Sequence, residues 1–162
     1  MHRALGAVLI LLAGVLTRRL LLEELRQVRR TRQDLAAAFE AMEAEIRLLL
    51  TPVPALLRRD YGKTVDGFFS AASRGVSRGE TLVSAWKEAA GALSLPEEER
   101  LSAAALGSRL DGDESSACAA LRLAAEELRR KNADEMLREC QNEKNISVIS
   151  ITISLLLIVL LL

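Results

Sequence analysis

Val28 to Leu49 reads VRRTRQDLAAAFEAMEAEIRLL, and its apolar side chains recur at helical spacing. Val28, Leu35, Met42 and Leu49 form one series, and Phe39 and Ile46 fall between its members. Spacing of this kind lines apolar groups along one side of a helix, because a helical turn takes about 3.6 residues. Arg32 stands at a d-type position and breaks the stripe. The seam suits packing inside a bundle better than a free coiled coil. It predicts a first helix that ends at Leu50.

Outward from the seam the chain is flanked by apolar segments. Ala4 to Leu16 is ALGAVLILLAGVL, followed by Thr17, Arg18, Arg19 and then Leu20 to Leu22. Its uncharged core is short against the ~20 residues of a full span, but Arg18 and Arg19 can snorkel while the leucines stay near the interface. A cleaved signal peptide is the rival; no A-x-A site follows, and the arginines after the core resist export. Ile146 to Leu162, ISVISITISLLLIVLLL, holds no charge. In lipid a lone segment must satisfy its own backbone, so helix is expected despite the β-branched residues. The expected domains are an N-terminal transmembrane helix over 1–22, a cytosolic helical region over 23–145 and a C-terminal transmembrane helix over 146–162.

Charge sets the orientation. The formal net charge is zero, yet Arg18, Arg19, Arg26, Arg29, Arg30 and Arg32 crowd behind the first apolar segment. Arg138 and Lys144 lie before the last. Arginines beside an anchor mark the cytoplasmic side of a bilayer, so the middle region is expected in the cytoplasm. Their position favours the lipid bilayer over nucleic acid as the partner.

The middle region divides at turn signals. Thr51 is expected to cap a second helix, with Pro52 at its first position. That helix should run to about Asp60 and stop at Gly62. A third should span Thr64 to Arg74, and Gly75 and Gly79 should bracket the next turn. A fourth, Glu80 to Ala92, should bury Leu82, Ala85, Trp86 and Ala89, with Trp86 read as core. Ser94 to Glu97 has capping-box spacing, and Glu97 to Glu99 suit the positive end of a helix dipole. The fifth helix should end near Arg109. Asp113 should cap a sixth that turns Ala117, Leu121, Ala124 and Leu128 inward and continues through Arg129 to Lys144 as a solvated stalk. The expected fold is all-α: an antiparallel six-helix bundle between terminal transmembrane helices.

Chemistry-bearing patterns are missing. The chain has one histidine and two cysteines, which rules out H-E-x-x-H and leaves no Cys pair with metal-ligand spacing. No phosphate-cradling glycine loop is present. Cys118 and Cys140, on one straight helix, would stand ~33 Å apart, too far for a disulfide; both are read as reduced thiols. Glu43 and Glu45 are two residues apart and point in different directions, which is poor for paired acid–base work. No enzyme, cofactor, metal or small-molecule substrate is expected.

The chain resembles the stage III sporulation protein AB family over nearly its whole length. The resemblance rests on Leu5-Gly6-Ala7-Val8 in the first apolar segment, LRQVR at Leu25 to Arg29, and Met42-Glu43-Ala44-Glu45-Ile46, where the family usually has LEAEI. It rests also on Thr51-Pro52, Ala85-Trp86, Leu106-Gly107 and Asn142-Glu143-Lys144, in that order. Two departures stand out. Leu110-Asp111-Gly112-Asp113-Glu114 is shifted by one residue from the family's Leu-Gly-x-x-Asp, with Cys118 near the position of a family glutamine. The final apolar segment also lacks the family's glycines.

The resemblance implies a fold similar to the helical domains of inner-membrane platform proteins in type II secretion and type IV pilus machines. It implies a two-pass protein in the mother-cell membrane around the forespore that helps assemble the channel between the two cells. Its expected partners are the other stage III A proteins, including the ATPase-like member AA. A charged face with Arg29, Glu40, Glu43, Glu45 and Arg47 is the expected docking surface. The alternative is a membrane-anchored coiled-coil scaffold of the envelope or division machinery, with the Val28 to Leu49 seam pairing between chains.

Overall fold

Two long helices follow from the two stretches richest in strong helix formers, and three shorter helices and a single turn fill the chain between them. The computed structural model describes the backbone of residues 2–161 and the side chains of residues 23–138. The elements are α1 (His2–Leu49), α2 (Val53–Leu56), α3 (Asp66–Ser77), α4 (Leu82–Ala90), α5 (Glu97–Leu110) and α6 (Glu114–Leu161). No strand occurs among the described residues, so the all-α expectation holds. The segments assigned to membrane anchors, 1–22 and 146–162, lie outside the residues whose side chains are described. Among the described residues no helix is long and apolar enough to cross a membrane.

α1 and α6 run antiparallel. The Cys118 thiol reaches the Glu43 carbonyl, Arg129 pairs with Glu40, and Arg32 pairs with Glu135. Positions falling along α1 thus meet positions rising along α6. The described parts of both helices leave the core at one end, at Glu23 and Arg138. α6 packs on α5, α5 on α4 and α4 on α3, while α2 sits against the far end of α1.

The seam is consumed within the chain. Leu35, Phe39, Met42 and Ile46 are buried, each worth about 1.5–3 kcal/mol in apolar area removed from water. Val28 is half-buried, and Leu49, the last of the series, is 66% exposed. A seam buried this way has no apolar stripe left for a second chain, so the structure favours intrachain packing over the scaffold reading.

Trp86 is the centre of the core. It has no exposed surface and its indole N–H donates to the Ala103 carbonyl at 2.8 Å, so the polar tip is satisfied inside an apolar cluster. Phe68 meets it edge-on at 4.8 Å between ring centres, and Phe39 stacks at 6.1 Å. Gly107 lets α5 approach: a Cβ there would lie 2.8 Å from Trp86 Cδ1. Gly75 does the same for α3 and α4, where a Cβ would fall 2.6 Å from that of Ala85.

Several local expectations are corrected. Pro52, and not Thr51, is the N-cap of α2 and makes no side-chain cap bond. α2 closes after one turn, because Leu56 and Leu57 are pulled into the core and a turn follows in which Asp60 accepts from the Gly62 N–H at 2.9 Å. Gly62 itself stands at φ 113, a conformation open to glycine. The capping box at Ser94 does not form: Pro96 is the N-cap of α5, and the Ser94 hydroxyl instead accepts from Gln27 on α1 at 3.2 Å. Asp113 does cap α6, accepting from the Ser116 N–H at 3.1 Å. Ala117, Leu121 and Leu128 turn inward and Ala124 is half-buried. The stretch after Arg129 is less solvated than a stalk, since Asn132 is 8% exposed and Glu135 is engaged with α1.

Candidate functional site

The expected break in the seam is a buried ion cluster. Arg32 is 2% exposed, although a d-type arginine in a solvent-facing gap would be open. Its Nε and Nη2 donate to both carboxylate oxygens of Glu99 on α5, each at 2.8 Å. The same guanidinium binds Glu135 on α6, with Nη2 donating to Oε1 at 3.0 Å and Nη1 to Oε2. Fork-to-fork pairing of this kind satisfies a planar guanidinium as no lysine would. Burial opposes the charge on Arg32, but the hydrogen bonds to Glu99 and then Glu135 outweigh it and hold the pKa above its ordinary value. Glu99 stands in the first turn of α5, as expected, and takes a second role there: it is 7% exposed and faces inward, and the cluster ties three helices together.

The five residues expected to form a charged docking surface fall into two groups. On α1, Arg29, Glu40, Glu43 and Arg47 share one stripe by helical spacing. Arg29 and Glu40 are half-buried, and Glu40 lies 2.6 Å from Arg129 of α6. Glu43 is 3.5 Å from Arg47, one turn on, and Arg47 is 63% exposed. Glu45 sits apart on the opposite side, 2.7 Å from Arg59, and its Oε2 is buried with no hydrogen-bond partner.

Around these charges lie concave surfaces. A groove of about 260 Å³ runs between α5 and α6 over Phe39 and Leu106, with Arg109, Glu127 and Lys131 at its edge. Burial opposes the Lys131 charge, yet hydrogen bonds to Glu98 and Glu127 raise its pKa. At the far end of the α1/α6 pair, Glu43, Arg47, Cys118 and Arg122 line a space of about 430 Å³. Burial first, and the Glu43 charge second, push the Cys118 thiol up. Cys140 lies outside the residues whose side chains are described. Among the described residues no group of three His, Cys, Asp or Glu is placed to hold a metal ion. The arrangement is one of paired charges on a helical surface.

Residues 3–162 match the family model of Stage III sporulation protein AB (spore_III_AB). The chain belongs to the stage III sporulation protein AB family. A solved structure, "Stage III sporulation protein AB (SpoIIIAB)", is similar to it with a TM-score of 0.59 and 25% sequence identity, over 70% of this chain and 97% of that one. No curated protein matches the chain. The residues that carry the resemblance divide between the core and the surface of this chain. Met42 and Ile46 in the LEAEI-like stretch are core, Glu43 and Glu45 are paired, and Trp86 and Gly107 are the close-packed contact between α4 and α5. The Arg32 cluster escaped sequence reasoning because its carboxylates lie far away in the chain. A carboxylate at Glu135 among inward-turned positions of α6 was the one available signal.

Proposed function

We propose that this family member is a non-enzymatic, membrane-anchored platform of the mother cell-to-forespore channel complex that docks a cytosolic secretion-type ATPase. Family membership supports a place within the stage III A (SpoIIIA) sporulation complex and an association with the mother-cell membrane. The observation that carries the platform reading is the antiparallel α1/α6 pair. Each is an unbroken helix of 48 residues, and both leave the core at one end, toward the two apolar terminal segments. A two-pass chain with its middle region in the cytoplasm needs that geometry, and the arginines beside the apolar segments favour that side.

The docking surface comprises Arg29, Glu40, Glu43 and Arg47 on one stripe, with Glu45 as a separate contact. Its partners are the other stage III A proteins, the ATPase-like member AA among them. No cofactor, metal or nucleic acid enters the reading. Reversal of Glu43 and Glu45 to lysine should weaken recovery of the ATPase-like partner in a pull-down with the full chain. Undiminished recovery would remove these residues from the interface.

A further inference from the structure

We propose that the end of the α1/α6 pair farthest from the apolar segments is a second docking surface, apolar with an acidic rim. It takes an apolar segment flanked by Lys or Arg on a separate cytosolic protein. The proposal rests on the anchored reading above, which sets this end away from lipid.

Leu48, Leu49 and Leu50 are 71%, 66% and 66% exposed. Three consecutive exposed leucines are a cost in water unless something covers them. Leu50 adds a second observation. It stands at φ 53, the one non-glycine residue with positive φ among the described residues, and its N–H closes α1 on the Ile46 carbonyl at 3.0 Å. Helices often end on a residue in this conformation, and glycine does so without Cβ strain. Leucine here accepts strain and presents a large apolar side chain.

That side chain walls two grooves. One holds Glu43 and Glu114 against Arg47 and Arg122, so its charges balance. The other, of about 320 Å³, runs over Ile46, Pro54, Leu82 and Leu110, with Asp111 and Glu114 on its rim and no Lys or Arg in its lining. Glu114 is shared with the balanced groove, whereas Asp111 is in no ion pair with a described residue. An apolar slot with the uncompensated Asp111 carboxylate on its rim is complementary to an apolar segment carrying a cation. A second copy of this chain fits poorly. Copies anchored in one membrane stand side by side with these ends pointing the same way, and two acidic rims repel.

The test uses the full chain in nanodiscs of zwitterionic lipid, with empty nanodiscs as the blank. Two synthetic amphipathic helical peptides share one apolar face; one carries lysines beside it and the other glutamates. Fluorescence anisotropy should show the lysine peptide binding about tenfold or more tightly than the glutamate peptide. Leu50→Gly, which removes the side chain at a position where glycine is unstrained, should lose that binding while the circular-dichroism melt is kept. Asp111→Lys should abolish the preference between the peptides. Equal binding, no binding, or binding indifferent to both substitutions would overturn the proposal. Dimerisation of the chain that Leu50→Gly abolishes would overturn it in favour of a second copy. The peptides contain no ATPase, so a failed pull-down of that partner fails the platform reading alone.

Discussion

Arg32 shows what one buried charge costs and returns. Removing a guanidinium from water is unfavourable, and five N–H groups must then find acceptors. Glu99 supplies two oxygens and Glu135 supplies two more. Arg32→Met should destabilise the fold by about 3–5 kcal/mol, because it strands Glu99 uncompensated. Arg32→Met with Glu99→Leu should regain most of that loss. Urea titration of the detergent-solubilised chain, read from the fluorescence of its one tryptophan, decides; a double variant as weak as the single one refutes the pairing account. The seam alone could not announce this, since a charge at an apolar position and a missing contact look the same in sequence. Tyr61 offers an independent check at the same scale. Burial first, then the Glu45 charge, against the opposing Arg59, push its phenol up to about 12. Below pH ~10 the folded and unfolded chains both keep the proton, and the contribution to stability is whole. Between about 10 and 12 the unfolded chain ionises first, so stability falls as pH rises through that window. The chain has one tyrosine, so its phenolate absorbance should titrate near 12; a midpoint near 10 would show an ordinary, solvated ring.

Helix-to-helix spacing depends on glycines more than on caps. Gly107→Ala should cost about 1–3 kcal/mol through the clash with Trp86, although alanine is the better helix former by ~1 kcal/mol. A Cβ added at Gly67 in α3 would meet nothing within 4 Å, so Gly67→Ala should be neutral or stabilising by up to ~1 kcal/mol. Thermal melts of the two variants should therefore move apart, and a shared direction would show that propensity outweighs packing. Elements were largely legible from their own residues. The end of α5, the start of α6 with its Asp113 cap and the buried Trp86 follow from turn residues and periodicity, whereas α4 is two residues shorter at each end than expected and α3 runs past Gly75 to Ser77. What failed were signals that a tertiary partner could override. Thr51 and Ser94 carry capping chemistry, but a following proline took the cap at one site, and Pro96 with Gln27 displaced it at the other. The arrangement of the charged residues was half legible: spacing aligns Arg29, Glu40, Glu43 and Arg47, whereas the separation of Glu45 depends on where the segment after α2 brings Arg59.

The whole molecule is a hairpin of long helices with the shorter ones packed along one side of it. In the proposed setting both ends enter lipid, and extraction of membranes with alkaline carbonate should leave the full chain in the pellet; release of intact chain into the supernatant would end the anchored reading. From Glu23 to Leu49, α1 rises about 40 Å at ~1.5 Å per residue. That length acts as a stand-off. A protein gripping the far turn would be held roughly that distance above the headgroups, and a protein contacting Arg29 would sit much nearer to them. Paired deletions of equal length in α1 and α6 would lower the one without shifting the other, which makes the height of the assembly a quantity that genetics can adjust.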